Sequence, residues 1–230
     1  MVLPYDIINK TRGVLLLNDL PFFTTDNGVA SLILKKIPFT KEAYVHIRDT
    51  SSCDSLLREC VDVCRMAGAE KVYAAGHATL EQYPLFCHIY RYEVDSERIG
   101  ETDAIAVPVS REQIDWWRQV YNQKMAGVPA ASPLSLRDVE AFVGEGKAFY
   151  ICKDCSILGI GVASEGEILA VASLLPGAGR DVVLALSGCL SGSRIQLTVA
   201  GNNAKACRLY QAIGFTETGK EASWYKIFPC

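Results

Sequence analysis

At 230 residues, half of them apolar and 21% charged, the chain has a globular composition that excludes a disordered polymer and suffices for one large domain or two small ones. A formal charge of −3 excludes a general nucleic-acid binder, which needs a basic face to neutralise phosphates. Nine cysteines, an odd number without the dense spacing of a secreted disulfide framework and with no signal-peptide pattern ahead of them, point to a reducing cytoplasm. The longest apolar runs, such as Ile168 to Leu175, fall short of the roughly 20 residues that cross a bilayer, so a soluble protein is expected.

In chain order, Gly13–Leu17 and Val29–Leu34 are apolar runs of strand length around the turn signal Thr24–Gly28, which predicts a hairpin. Ala43–Arg48 is β-branched and aromatic. The caps in Asp49–Asp54 then precede Leu56, Leu57, Cys60, Val61 and Cys64 at helical spacing, and Lys71–Ala75 follows as a strand. Strand, helix and strand in about thirty residues make a parallel crossover. His88–Val94 reads as a closing strand and Asp95–Asp103 as a charged linker.

The second half begins with a strand at Ala104–Val109. A capping box at Ser110–Gln113 opens a helix carrying Ile114, Trp117, Val120, Tyr121 and Met125, and a second helix spans Ser135–Val143. Strands at Ala148–Cys152, Ser156–Ala163 and Glu167–Leu174 are joined by turns short enough for antiparallel hairpins. Pro176–Asp181 is a glycine turn leading into an apolar helix from Val182 to Leu190, then a strand at Arg194–Val199. A helix and a terminal pair of strands around Phe215 and Trp224–Phe228 complete a mixed α/β chain.

Several residues have bland readings. Cys152-x-x-Cys155 lacks the second pair of a zinc site and falls in a hairpin, so no metal is expected. Cys60 and Cys64 share one buried helix face as small hydrophobes. His46, His77 and His88 show no ligand spacing and read as structural or surface residues.

Asn203, Ala206, Leu209, Tyr210, Gly214 and Phe215 stand as N-x-x-A-x-x-L-Y-x-x-x-G-F, preceded by Gly177-Ala-Gly-Arg180 at the start of the earlier helix. With the element order, these residues resemble the GNAT superfamily of acyl-CoA-dependent N-acyltransferases over roughly 104 to 228. A helix start with glycines is an anion cradle, because its first amides lack intrahelical partners. The resemblance implies a cofactor site for acetyl-CoA: phosphates on Gly177, Ala178, Gly179, Arg180 and Asp181, the pantetheine arm on the backbone of Ala172, Ser173 and Leu174, and a contact from Asn203. The family's two central parallel strands splay to admit that arm.

Tyr210 is implied as the donor of a proton to the departing thiolate, a role suited to a phenol that keeps its proton at neutral pH. Glu167, with Glu165 beside it, is the carboxylate placed to take the proton of the attacking amine. Trp116, Trp117 and Tyr121 lie on the helix that borders the acceptor site in that family. The expected activity is N-acetyl transfer to a primary amine of a small molecule or peptide. The alternative is a non-catalytic CoA-binding or scaffolding module, favoured by Leu174 standing where the family pattern has Arg or Gln.

The expected domains are 104–230, a GNAT acetyltransferase domain, and 1–100, a partial, degenerate copy without the glycine turn or the Asn-to-Tyr motif. No membrane or nucleic-acid partner is expected, and a homodimer is left open.

Overall fold

The computed structural model describes residues 22–128 and 131–227. In chain order these form β1 (Phe22–Thr25), β2 (Gly28–Ile33), α1 (Ile37–Thr40), β3 (Glu42–Thr50), α2 (Cys53–Met66), β4 (Lys71–Ala75) and β5 (Leu85–Asp95). They continue as β6 (Ile105–Pro108), α3 (Ile114–Met125), α4 (Leu136–Gly144), β7 (Ala148–Lys153), β8 (Ser156–Ser164) and β9 (Glu167–Ser173). The chain closes with α5 (Gly179–Ser187), β10 (Arg194–Ala200), α6 (Ala204–Ile213) and β11 (Thr216–Ile227). The strand expected at Gly13–Leu17 lies outside the described residues. Phe22–Thr25 forms the first arm of the observed hairpin, and the expected terminal pair of strands is one continuous strand, β11.

The described residues divide into two compact units, 22–89 with 220–227, and Tyr90–Gly219. The changeovers fall inside β5 and inside β11, whereas the sequence pattern placed the division in the Asp95–Asp103 stretch.

In the first unit the strands run β1-β2-β3-β4-β11-β5. The α2 crossover makes β3 and β4 parallel, paired without interruption from Glu42↔Lys71 to His46↔Ala75. Leu56, Leu57, Cys60, Val61 and Cys64 of α2 are buried with Val45, Ile47, Val72 and Ala74 of the sheet, which is the helical stripe meeting alternate strand positions.

In the second unit the order is β5-β10-β9-β8-β7-β6. The β7–β8 turn has Asp154 at φ 48° and Cys155 at φ 59°, and the β8–β9 turn has Glu165 at φ 50° and Gly166 at φ 82°. Two successive left-handed residues match the right-handed twist of the flanking strands and set both hairpins. Helix α5 lies directly on β8, because a Cβ on Gly159 would stand 2.5 Å from Val182 and one on Gly161 would stand 2.3 Å from Leu186. On β7, Tyr150 meets Trp116 of α3 whereas Ile151 joins the core built on α5, so α3 and α5 cover opposite faces. No helix among the described residues is long and apolar enough to cross a membrane.

Candidate active site

The site is organised by β9. On one edge β9 pairs antiparallel with β8 along its whole length, from Ser164↔Glu167 to Gly159↔Ser173. On the other edge it pairs parallel with β10 at only Glu167↔Gln196 and Ile168↔Leu197. The next residue, Leu169, is the extra residue of a β-bulge, since Val162 opposes Ala170 while Ala163 opposes Ile168. A bulge bends its strand and increases local twist. The bend coincides with the separation of β9 from β10, leaving the last part of β9 open on that side.

The backbone groups that face the opening follow from alternation. Leu174 N–H donates to the Leu158 carbonyl at 2.8 Å, so it points toward β8. Ala172 and Ala170 point the same way: their carbonyl oxygens lie 2.7 Å and 2.8 Å from where a Cβ on Gly159 or Gly161 would stand. By the two-residue period, Val171 and Ser173 turn their N–H and C=O toward the gap. This corrects the expectation for the strand: of Ala172, Ser173 and Leu174, only Ser173 presents backbone to the opening. Val171 joins it.

Beyond Ser173 the chain turns through Gly177, at φ 83° with nothing within 4 Å of a Cβ built on it, into α5. Positive φ is why glycine stands there. Ala178 provides no side-chain cap, and the first intrahelical bond is Val182 N–H to the Ala178 carbonyl. The amides of Gly179, Arg180 and Asp181 therefore head the helix without intrahelical acceptors. Gly179 has a packing role as well, because a Cβ there would meet Leu209 of α6 at 3.0 Å.

The side chains of Arg180 and Asp181 are engaged elsewhere. Arg180 Nη1 donates to the Ala212 carbonyl at 3.4 Å, at the C-terminal end of α6 where a cation is favoured. The Asp181 carboxylate accepts from the Thr102 hydroxyl at 2.7 Å, and its negative charge would repel a phosphate. The expected side-chain contact from Arg180 is not seen, and what both residues present at the helix start is their backbone amides.

Asn203 caps α6, its side-chain oxygen accepting from Ala206 N–H at 3.3 Å. Gly214, at φ 113°, ends the helix. The Asn-to-Phe motif is thus first a helix with both ends specified. Tyr210 within it is buried between Tyr92 and Phe215, with ring centroids 6.3 Å and 6.0 Å away. Burial, then the nearby Cys207, raises its phenol to about 12, so it holds its proton through the neutral range.

Glu167 is also buried, at the closed end of the β9–β10 pair, and Gln196 Nε2 donates to its Oε2 at 3.5 Å. Glu165 sits in the preceding turn.

The three aromatic residues of α3 do not act together. Trp117 is fully buried, donates from Nε1 to the Phe149 carbonyl at 3.1 Å and stacks on Tyr121 at 5.5 Å. Tyr121 is enclosed with it. Trp117 and Tyr121 are therefore core residues and not an acceptor wall. Trp116 is 48% exposed and tilts against Tyr150 at 5.8 Å. The bulge at Leu169 and the partnership of Tyr92 with Tyr210 were not read from the sequence, since neither has a composition or spacing signal. Among the described residues no group of three or more His, Cys, Asp or Glu could hold a metal ion.

No protein-family model matches the chain, and no curated protein matches it either. Solved structures do. A candidate acetyltransferase from Pyrococcus horikoshii superposes with TM-score 0.59 at 13% identity over 89% of this chain and 70% of that one. A GCN5-related N-acetyltransferase from Anabaena variabilis gives 0.58 at 9% identity over 87% of this chain and 59% of that one. The fold is GNAT-like. A conserved protein of unknown function from Staphylococcus epidermidis shares it, with TM-score 0.54 at 13% identity over 90% and 93% of the two chains. At these identities the GNAT likeness extends to the path of the backbone and leaves the chemistry to this chain's own residues.

Proposed function

We propose that this chain is an acyl-CoA-dependent N-acetyltransferase that moves an acetyl group from acetyl-CoA to a primary amine of a small molecule or peptide. The observation that carries the reading is the gap beyond Ile168 and Leu197, lying beside the uncapped start of α5. The residues fit the cofactor. An open strand edge can hydrogen-bond an amide-bearing pantetheine arm as an added strand would, and unpartnered amides at Gly179 to Asp181 with open space at Gly177 suit a pyrophosphate.

Bound there, acetyl-CoA supplies an activated acyl group as a thioester. Val171 and Ser173 hold the arm by their backbone groups and orient the carbonyl. Glu167 takes the proton of the amine as it attacks, through an intervening water, and Tyr210 gives its proton to the sulfur as the carbon–sulfur bond breaks. Trp116 lines the acceptor side.

The first unit reads as a degenerate copy that does not hold CoA. Its parallel pair stays zipped for five residues. The Asn27 carbonyl also takes up donors ahead of α2, from Thr50 Oγ1 at 2.7 Å and Ser51 N–H at 3.1 Å.

Calorimetry or a melting shift with acetyl-CoA tests the site, since a ligand bound only by the folded state raises the melting temperature. No binding at millimolar acetyl-CoA would remove the enzyme reading. Binding without thiol release across amino acids, polyamines, aminoglycosides and peptides would favour the second reading, a non-catalytic CoA-binding module. The observation on that side is the enclosure of Tyr210.

A further inference from the structure

Cys207, Tyr210 and Gln211 stand at i, i+3 and i+4 on α6 and form one stripe of its surface. Tyr92 of β5, itself buried, lies against that stripe. Its hydroxyl accepts from Gln211 Nε2 at 3.5 Å, and the Cys207 thiol lies beside the same hydroxyl. Its ring is tilted 57° to that of Tyr210, and Phe215 is tilted 59° to Tyr210 at a second ring contact. The Cys207 thiol donates in turn to the Ala200 carbonyl at 3.8 Å, at the end of β10. Tyr92 therefore reads the rotation of α6 through polar contacts and the tilt of the Tyr210 ring through its own ring. Offset and tilted aromatic pairs have preferred geometries, so such a contact resists reorientation.

We propose that Tyr92 is a positioning residue for Tyr210, fixing where the Tyr210 hydroxyl meets the departing thiolate. The inference rests on the reading of Tyr210 as the proton donor. Tyr92 touches no reacting atom and acts through α6. Positioning matters because a donor must lie within hydrogen-bond reach of the atom it protonates, and a misplacement of about 1 Å can cost on the order of a hundredfold in rate. Burial, then the neighbouring Cys207 and Glu217, hold the Tyr92 phenol above its ordinary range, so it remains a neutral partner.

The test is a double-mutant cycle on the full chain, following acetyl-CoA-dependent thiol release with an amine that wild type accepts. Tyr92→Leu, which removes ring and hydroxyl, is expected to lower kcat about tenfold while the KM for acetyl-CoA stays within about twofold. Tyr92→Phe, which keeps the ring, is expected to recover kcat to within about threefold of wild type. Both effects vanish in a Tyr210→Phe background, because residues acting through one group are not additive. Equal losses in both backgrounds, or a rise in KM in place of the fall in kcat, would overturn the proposal while leaving the enzyme reading intact. A wild-type protein that releases no thiol overturns both. If Tyr92→Leu does not fold, the Tyr92→Phe cycle decides by the same criterion.

Discussion

Ile168 pairs with Leu197, and this is the last pair of the β9–β10 ladder. The bulge at Leu169 follows at once. One extra residue therefore does two things: it ends the parallel pairing, and it determines which backbone amides face the gap.

That assignment can be tested with proline, which removes one N–H. Ser173→Pro removes an amide that faces the opening, so it should weaken acetyl-CoA binding about three- to tenfold, the worth of one hydrogen bond. The melting temperature should change little. Ala172→Pro removes an amide that faces β8, so it should cost on the order of 3 kcal/mol of stability by breaking the hairpin ladder. Calorimetry and thermal melts on the pair decide it. Equal destabilisation by both would show that Ser173 also serves the ladder.

Tyr210→Phe keeps the ring and deletes the proton. Turnover should fall by roughly a hundredfold or more, the usual contribution of a general acid, with acetyl-CoA affinity unchanged. The same phenol predicts an alkaline weakness. Its folded value, about 12, lies above the 10.0 of an ordinary phenol, so the stabilisation of its neutral form is complete below pH about 10 and is lost as pH rises toward 12. Tyr73, also raised to about 12 by burial first and then by Glu42, adds to the same window. Unfolding free energy should drop across it, and less steeply in Tyr210→Phe.

Lys36 is buried against Glu42 at 3.4 Å, with its ammonium 5.4 Å from the Tyr44 ring centroid. The Tyr44 hydroxyl donates to the same carboxylate at 3.2 Å. Removing one partner of a buried pair leaves an uncompensated charge, so Glu42→Gln should cost about 3–5 kcal/mol. Lys36→Met should cost less, because it removes the buried charge itself. Denaturant melts that rank the two variants in the opposite order would refute this.

The thiols should fall into two groups by reactivity. Cys155 is exposed in the β7–β8 turn. Cys60, Cys64 and Cys87 are buried, and burial raises them to about 12, 11 and 11, with Cys64 and Glu59 adding to the rise at Cys60 and Lys36 opposing it at Cys87. Because the thiolate is the nucleophile, native protein at pH 8 should alkylate readily at Cys155 and not at Cys60, Cys64 or Cys87 until it is unfolded. Site-resolved mass spectrometry reads this directly.

Most elements were legible because they are written in local chemistry. The α2 stripe, the capping box at Ser110 with Gln113, the Ser135 start of α4 and the short turns between β7, β8 and β9 each depend on residues within a few positions of one another. The first hairpin arm and the continuity of β11 were missed, since Phe22–Thr25 looks like the approach to a turn and Gly219 looks like a break.

The site was legible only as a set of residue types. From the sequence alone, Tyr210 could be placed on an amphipathic helix and Gly177 at a turn into another, because propensity and periodicity are local. Which amides of β9 face the gap, that Arg180 and Asp181 turn away from it, and that Tyr92 bears on Tyr210 were decided by tertiary structure. A bulge reverses the facing of every later residue on its strand, and ring contacts form between residues more than a hundred positions apart. Both depend on register and packing, which no local window of residues contains.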